Sequence, residues 1–235
     1  MEQIYTIPVN EAFDLASDKP ECGCPICILY KKLQREEIDK ILGASMMEPD
    51  IRQRTNEAGF CSSHYEIMLT KKRMLGMALM MESHLPDVKK RLLGAGAILG
   101  DKKRSAISSL GELEKSCYVC SRIETNLEAM ISTVVYLFET NGEFKKKFSR
   151  APYFCLPHYR RMLEYASKRM SKRSYSEIYD AAFAVNERYI DSLSSDVSWF
   201  CKKFDYRYDS EPWYNSKDSV QRSVKFLSGD TRDDG

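Results

Sequence analysis

Apolar residues along this chain recur every third or fourth position. Ile123, Leu127, Met130, Val134 and Phe138 advance by four, three, four and four, which sets them on one face of a helix. Tyr159, Leu163, Ala166 and Met170 form a second stripe of this kind, and Ile178, Ala182, Val185, Tyr189 and Leu193 a third. In the first half, Ile67, Met74, Ala78, Met81 and Leu85 share a stripe with one turn skipped. No segment has the alternation of a half-buried strand, so the pattern predicts an all-α fold.

Local punctuation supplies the helix limits. Ser63 with Glu66, and Ser174 with Glu177, have the spacing of capping boxes. Pro49 suits a first helical turn, and Gly59 stands where that short helix would end. Pro86 is predicted to break the helix begun near Ser62, and Gly94 to stop the next one. Glycines 94, 96, 100 and 111, with the run Lys102-Lys103-Arg104, read as a connection. The chain thus divides into residues 1–95, a linker 96–111, residues 112–173, and a C-terminal helix and aromatic tail over 174–235. The last residues, GDTRDDG, are expected to fray.

One motif occurs twice. Cys24-Pro25-Ile26-Cys27 is followed 33 residues later by Cys61-Ser62-Ser63-His64, and Cys117-Tyr118-Val119-Cys120 is followed 34 residues later by Cys155-Leu156-Pro157-His158. Phe60 and Tyr65 flank the first Cys-x2-His as Phe154 and Tyr159 flank the second. Two side chains separated by two residues on a turn entering a helix can face one ion, and two such pairs supply the four tetrahedral ligands that zinc prefers. Adjacency in sequence predicts one site from Cys24, Cys27, Cys61 and His64, and another from Cys117, Cys120, Cys155 and His158. Each pseudo-repeat would then be a helical unit stapled by its own Cys3His site. Pro25 and Pro157 fit the first turns of the helices that these pairs open, and a helix N-terminus favours the thiolate form. Zinc, two ions per chain, is the favoured metal; an iron–sulfur cluster is the alternative, since soft thiolates suit both. Four protein ligands close a site, which points to structure over catalysis.

The remaining candidates are weaker. Cys22 has no counterpart in the second copy and reads as a spare thiol beside the motif, with an alternative ligand or redox partner as the other readings. Cys201 is expected to pack as a small hydrophobe. Met68, Met74, Met77, Met80 and Met81, with His84 close by, are expected to be core, ahead of a soft-metal or partner-binding groove. The aromatic stretch from Trp199 to Tyr214 reads either as a wrap over the bundle, its rings filling grooves between the halves, or as a base-stacking platform. Its acids Asp205, Asp209 and Glu211 favour the wrap.

Composition narrows the function classes. Thirty-six Lys and Arg against 34 Asp and Glu leave a net charge of +2, too little for a dedicated nucleic-acid or membrane-surface protein. No apolar run approaches the roughly 20 residues of a membrane span. The opening residues carry no secretory signal, so thiolates in the reducing cytoplasm are expected in preference to disulfides. No phosphate loop, catalytic triad or His-Glu-x2-His helix occurs, and no reaction is assignable.

The paired CPxC and FCxxH motifs, Asp205-Tyr206-Arg207 and Pro212-Trp213 resemble an uncharacterised family of bacterial domains of unknown function, found largely in anaerobic Gram-positive bacteria. The resemblance implies a cytoplasmic metalloprotein with two sites. Three functions follow as expectations: a zinc-bound helical scaffold for protein partners, a weak nucleic-acid or ribonucleoprotein binder, and a redox or metal-responsive protein.

Overall fold

A computed structural model describes residues 4–94 and 101–231. Among them are eleven α-helices, three short 3-10 turns and no strand, so the fold is all-α. The helices are α1 (Thr6–Asp18), α2 (Pro25–Ile41), α3 (Pro49–Ala58), α4 (Ser62–Thr70), α5 (Met74–Leu92), α6 (Lys102–Lys115), α7 (Tyr118–Thr140), α8 (Gly142–Arg150), α9 (Leu156–Arg169), α10 (Lys172–Lys202) and α11 (Ser219–Ser228).

Compactness does not follow the consecutive halves read from the sequence. One unit takes Met1–Lys31 together with Leu127–Arg232, and the other is Lys32–Asn126. The second is therefore an insertion in the first.

In the discontinuous unit, α1 packs on α8, and α10 packs on α8, α9 and α11. Its centre is a phenylalanine cluster. Phe13, Phe144, Phe148 and Phe154 are fully buried, with ring centroids 4.8 Å apart for Phe13–Phe144 and 4.7 Å for Phe148–Phe154. Such tilted pairs add to the stabilisation from burial alone. The stripes predicted on α7 and α10 are the buried ones: Ile123, Leu127, Met130, Val134 and Phe138 on α7, and Ile178, Ala182, Val185 and Leu193 on α10.

In the inserted unit, α3 packs on α5, which also meets α4 and α6. Here the predicted stripe is displaced. Met74 and Leu85 are exposed, and α5 buries Gly76, Met80 and His84 instead. The stripe assumed one helix from Ser62 to Pro86, but the chain breaks at Lys71–Arg73, where Lys72 takes a left-handed φ of 53°. That break resets the helical phase. Pro86 lies inside α5 and does not end it. The carbonyl it leaves unbonded, on Glu82, sits on an exposed turn where water can replace the missing donor.

Other expectations divide. Pro49 opens α3, and Gly59 ends it at φ 58°. The N-cap of α4 is Cys61, not Ser63, and that of α10 is Ser171, whose hydroxyl accepts from the Ser174 amide. Residues 102–111, read as part of the linker, belong to α6, which starts behind the N-cap Asp101 and runs on to Lys115. Gly96, Gly100 and the last residues of the tail lie outside the described residues. Cys201 is exposed and does not pack as a small hydrophobe.

The aromatic tail folds upon itself at the end of α10. Trp199 donates its indole N–H to the Pro212 carbonyl at 2.9 Å and meets Tyr208 and Tyr214 edge-on. Lys203 is buried, with its ammonium group on the carbonyls of Tyr208, Asp209 and Glu211 and over the Trp213 ring.

Candidate metal centres

All eight predicted ligands converge, in two groups of four. Their partition corrects the sequence reading. Cys24 and Cys27 meet Cys155 and His158, while Cys61 and His64 meet Cys117 and Cys120. The repeats have exchanged halves: each site takes a Cys-x2-Cys from one copy and a Cys-x2-His from the other. The first site (site A) lies within the discontinuous unit and the second (site B) within the insertion.

All four ligand pairs are built alike. The carbonyls of Cys24, Cys61, Cys117 and Cys155 accept the first helical hydrogen bonds of α2, α4, α7 and α9, from Ile28, Tyr65, Ser121 and Tyr159. The first cysteine of each pair is therefore the N-cap residue, and the second ligand stands three residues on, in the first turn. A cysteine takes the place that serine or aspartate usually holds, and its sulfur faces the partner pair. Two helix N-termini, each worth roughly half a positive charge, thus point into each cluster.

Backbone ties set the pairs in register. In site A, the Asn186 amide side chain, buried on α10, both accepts from the Phe154 N–H (2.8 Å) and donates to the Phe154 carbonyl (2.9 Å), fixing the residue before Cys155. Gly23, just before Cys24, has φ 78°, and a Cβ there would lie 2.6 Å from the Tyr153 hydroxyl oxygen. Only glycine permits both the conformation and the close approach. In site B, the Tyr118 N–H donates to the Gly59 carbonyl (2.9 Å) and the Ser116 hydroxyl to that of Ala58 (2.7 Å). These bonds join the two ligand pairs directly.

The ligand atoms of each group all lie within 4.8 Å of one another. In site A, His158 Nδ1 is 3.2 Å from Cys155 Sγ, 3.3 Å from Cys27 Sγ and 4.0 Å from Cys24 Sγ, and Cys27 and Cys155 are 3.5 Å apart. In site B, His64 Nδ1 is 3.1, 3.3 and 3.4 Å from the sulfurs of Cys61, Cys117 and Cys120, and Cys61 and Cys120 are 3.9 Å apart. A disulfide needs about 2.05 Å, so these are free thiols. A tetrahedron with metal–sulfur bonds of about 2.3 Å and a metal–nitrogen bond of about 2.0 Å has edges of about 3.8 Å (S···S) and about 3.5 Å (S···N). The separations bracket those edges, so both groups fit a single ion.

Electrostatics agree with that fit. Burial acts to raise the Cys24 thiol, but hydrogen bonds from Cys155, Cys27 and His158 outweigh it and hold Cys24 well below the usual cysteine range. Cys27 is driven far up by its hydrogen bonds with Cys155 and Cys24 and by burial. Cys155 is also raised, chiefly through Cys24. Burial, with the negative charge of Cys117 behind it, raises Cys120. Crowded thiolates repel, and a central cation would let all three in each group lose their protons. Burial lowers the His64 pKa and so favours the neutral imidazole that a ligand must be.

The surroundings bring in residues that the sequence did not announce. Gln34, buried on α2, has its amide nitrogen 3.1 Å from His64 Nε2, while its oxygen lacks a partner. Turning the amide over pairs that oxygen with an Nε2–H, which is the tautomer His64 must hold to ligate through Nδ1. At site A the Asp230 N–H donates to Cys27 Sγ at 3.3 Å, and its carboxylate pairs with Lys31 (2.9 Å) and Lys225 (3.1 Å). No single-sequence signal marks these positions. Cys22 belongs to neither group, and His84 is a satisfied core residue whose Nδ1–H donates to the Asn56 carbonyl at 3.1 Å.

No curated protein and no solved structure matches the chain. One family model, described as a family of unknown function (DUF6062), does match, over residues 1–234, and with nearly the whole chain covered the protein belongs to that family.

Proposed function

We propose that this protein is a zinc-bound helical scaffold for protein partners, working in a reducing, cytoplasmic setting, with one Cys3His zinc in each compact unit. The fit of each four-ligand cluster to the edges of one tetrahedron carries the reading. Charge supports it: Zn2+ with three thiolates leaves one negative charge per site, and two helix N-termini offset about that much. An iron–sulfur cluster fits less well. Its irons each carry their own thiolate around bridging sulfides, which spreads the ligands beyond the edge lengths of a single ion. Four protein ligands leave no open position for substrate, so the sites organise helices.

A partner is suggested by the surface. Leu75, Leu85, Leu92 and Leu93, on or just after α5, are exposed, and an apolar groove of about 600 Å³ runs between α10 and α11, lined by Ile190, Leu193, Val197 and Phe226. The groove, with its apolar lining, is the feature suited to a partner's apolar side chains. Nucleic-acid binding is less favoured, because two of the three cations of the aromatic tail are already engaged: Lys203 on carbonyls, Arg207 on Asp205 at 2.6 Å. Among the described residues no helix is long and apolar enough to cross a membrane.

Elemental analysis of protein purified under reducing conditions tests the reading. Two zinc ions per chain are expected. One ion, none, or iron with inorganic sulfide would sink it.

A further inference from the structure

The two sites have the same donor set but different shelter. Every ligand of site A is buried, its three cysteines at 1% exposure or less. The segment after α11 closes over it: the Asp230 N–H bonds to Cys27 Sγ, and a Cβ on Gly229 would lie 3.6 Å from Cys155 Sγ. Lys31 and Lys225 hold Asp230 in place. In site B, His64 and Cys117 are buried, but Cys61 and Cys120 are only half-buried, and their sulfurs stand 3.9 Å apart. The two less sheltered cysteine ligands are thus neighbours within one metal site.

We propose that site B is an oxidation site for hydroperoxides, at which Cys61 and Cys120 close to a disulfide and release the metal, while site A keeps its own. The inference rests on the zinc reading above. The chemistry balances: one thiolate attacks the terminal oxygen of the peroxide, the O–O bond breaks, and a sulfenic acid forms with loss of hydroxide from hydrogen peroxide or of alkoxide from an alkyl hydroperoxide. The second thiolate then attacks that sulfur and displaces hydroxide. Two electrons pass from the thiolates to the peroxide, and two of the four metal ligands are lost. Closing the pair requires the sulfurs to approach by about 2 Å, a side-chain rotation once the metal is leaving. Thiolate character and access together select the cysteines that oxidise first; bound zinc would supply the first at both sites, and only site B adds the second.

The test uses the full chain, reduced and loaded with zinc, with the non-ligand thiols removed by Cys22→Ser and Cys201→Ser. Hydrogen peroxide is added, metal release is followed with a chromogenic chelator, and disulfides are mapped by peptide mass spectrometry. One equivalent of zinc should leave at least about tenfold faster than the second, with Cys61–Cys120 as the first linkage and recovery on adding a thiol reductant and zinc. Equal release from both sites, a first linkage among Cys24, Cys27 and Cys155, or retention of both ions until unfolding would overturn the proposal. The metal content before oxidation judges the zinc reading separately. If it is not two, the linkage map still reports whether Cys61 and Cys120 pair first.

Discussion

Replacing Cys155 with alanine separates the exchanged pairing from the consecutive one. Cys155 is fully buried, and the change in side-chain volume is small, so the main loss is a metal ligand. Site A ties Cys27 to Cys155 across a separation of 128 residues. Treated as a cross-link on the unfolded chain, a loop of that length is worth about 5 kcal/mol. Spread over an unfolding entropy of about 0.5 kcal/mol/K for a protein of this size, its loss lowers Tm by about 10 °C. The stripes of α7 and α10 remain able to collapse, so far-UV circular dichroism should change little. The assay is a thermal melt paired with alkylation of accessible thiols and peptide mapping. Cys24 and Cys27 should become newly reactive in Cys155→Ala, and Cys117 and Cys120 should not. Were Cys117 and Cys120 uncovered instead, the two pairs of one repeat would share an ion and the exchanged pairing would be refuted.

Two further outcomes are expected. Gln34→Leu removes the acceptor for His64 Nε2–H and should weaken site B about 10- to 100-fold in chelator competition, leaving site A untouched; equal loss at both sites would mean that Gln34 acts on the fold at large. Gly23→Ala puts a Cβ against the Tyr153 hydroxyl at φ 78° and should destabilise the protein by about 1–3 kcal/mol in denaturant melts, a cost that an unchanged midpoint would rule out.

The ligands were legible in the sequence because each pair is a local device. The N-cap-and-first-turn spacing is fixed by helix geometry, and it reads directly as Cys24/Cys27, Cys61/His64, Cys117/Cys120 and Cys155/His158. Which pair faces which is decided by packing far along the chain: the buried Phe13–Phe144–Phe148–Phe154 cluster and the clasp of Asn186 on Phe154 bring the second repeat's Cys-x2-His to the first repeat's Cys-x2-Cys. Near-equal gaps of 33 and 34 residues argued for the simpler partition and carried no information about this. The displaced stripe of α5 has a similar cause, since the break at Lys71–Arg73 holds neither glycine nor proline. The contacts that tie Gln34 to His64 and Asp230 to Cys27 span 30 and 203 residues, beyond the reach of any local pattern.

The nesting of one ligand set inside the other puts the chain at odds with the order of its own synthesis. As it emerges N-terminus first, Cys24 and Cys27 appear together with free sulfurs, and the first Cys-x2-His to follow is Cys61/His64, the wrong partner. Site B can close once Cys120 is out, but site A must wait another 38 residues for His158, about 2–8 s at ordinary elongation rates. For that interval the mismatched set of Cys24, Cys27, Cys61 and His64 competes for metal with the native one. Arrival of Cys117 and Cys120 must therefore draw Cys61 and His64 away by ligand exchange, so a metal that binds thiolates too slowly to let go would trap the nascent chain in the consecutive arrangement.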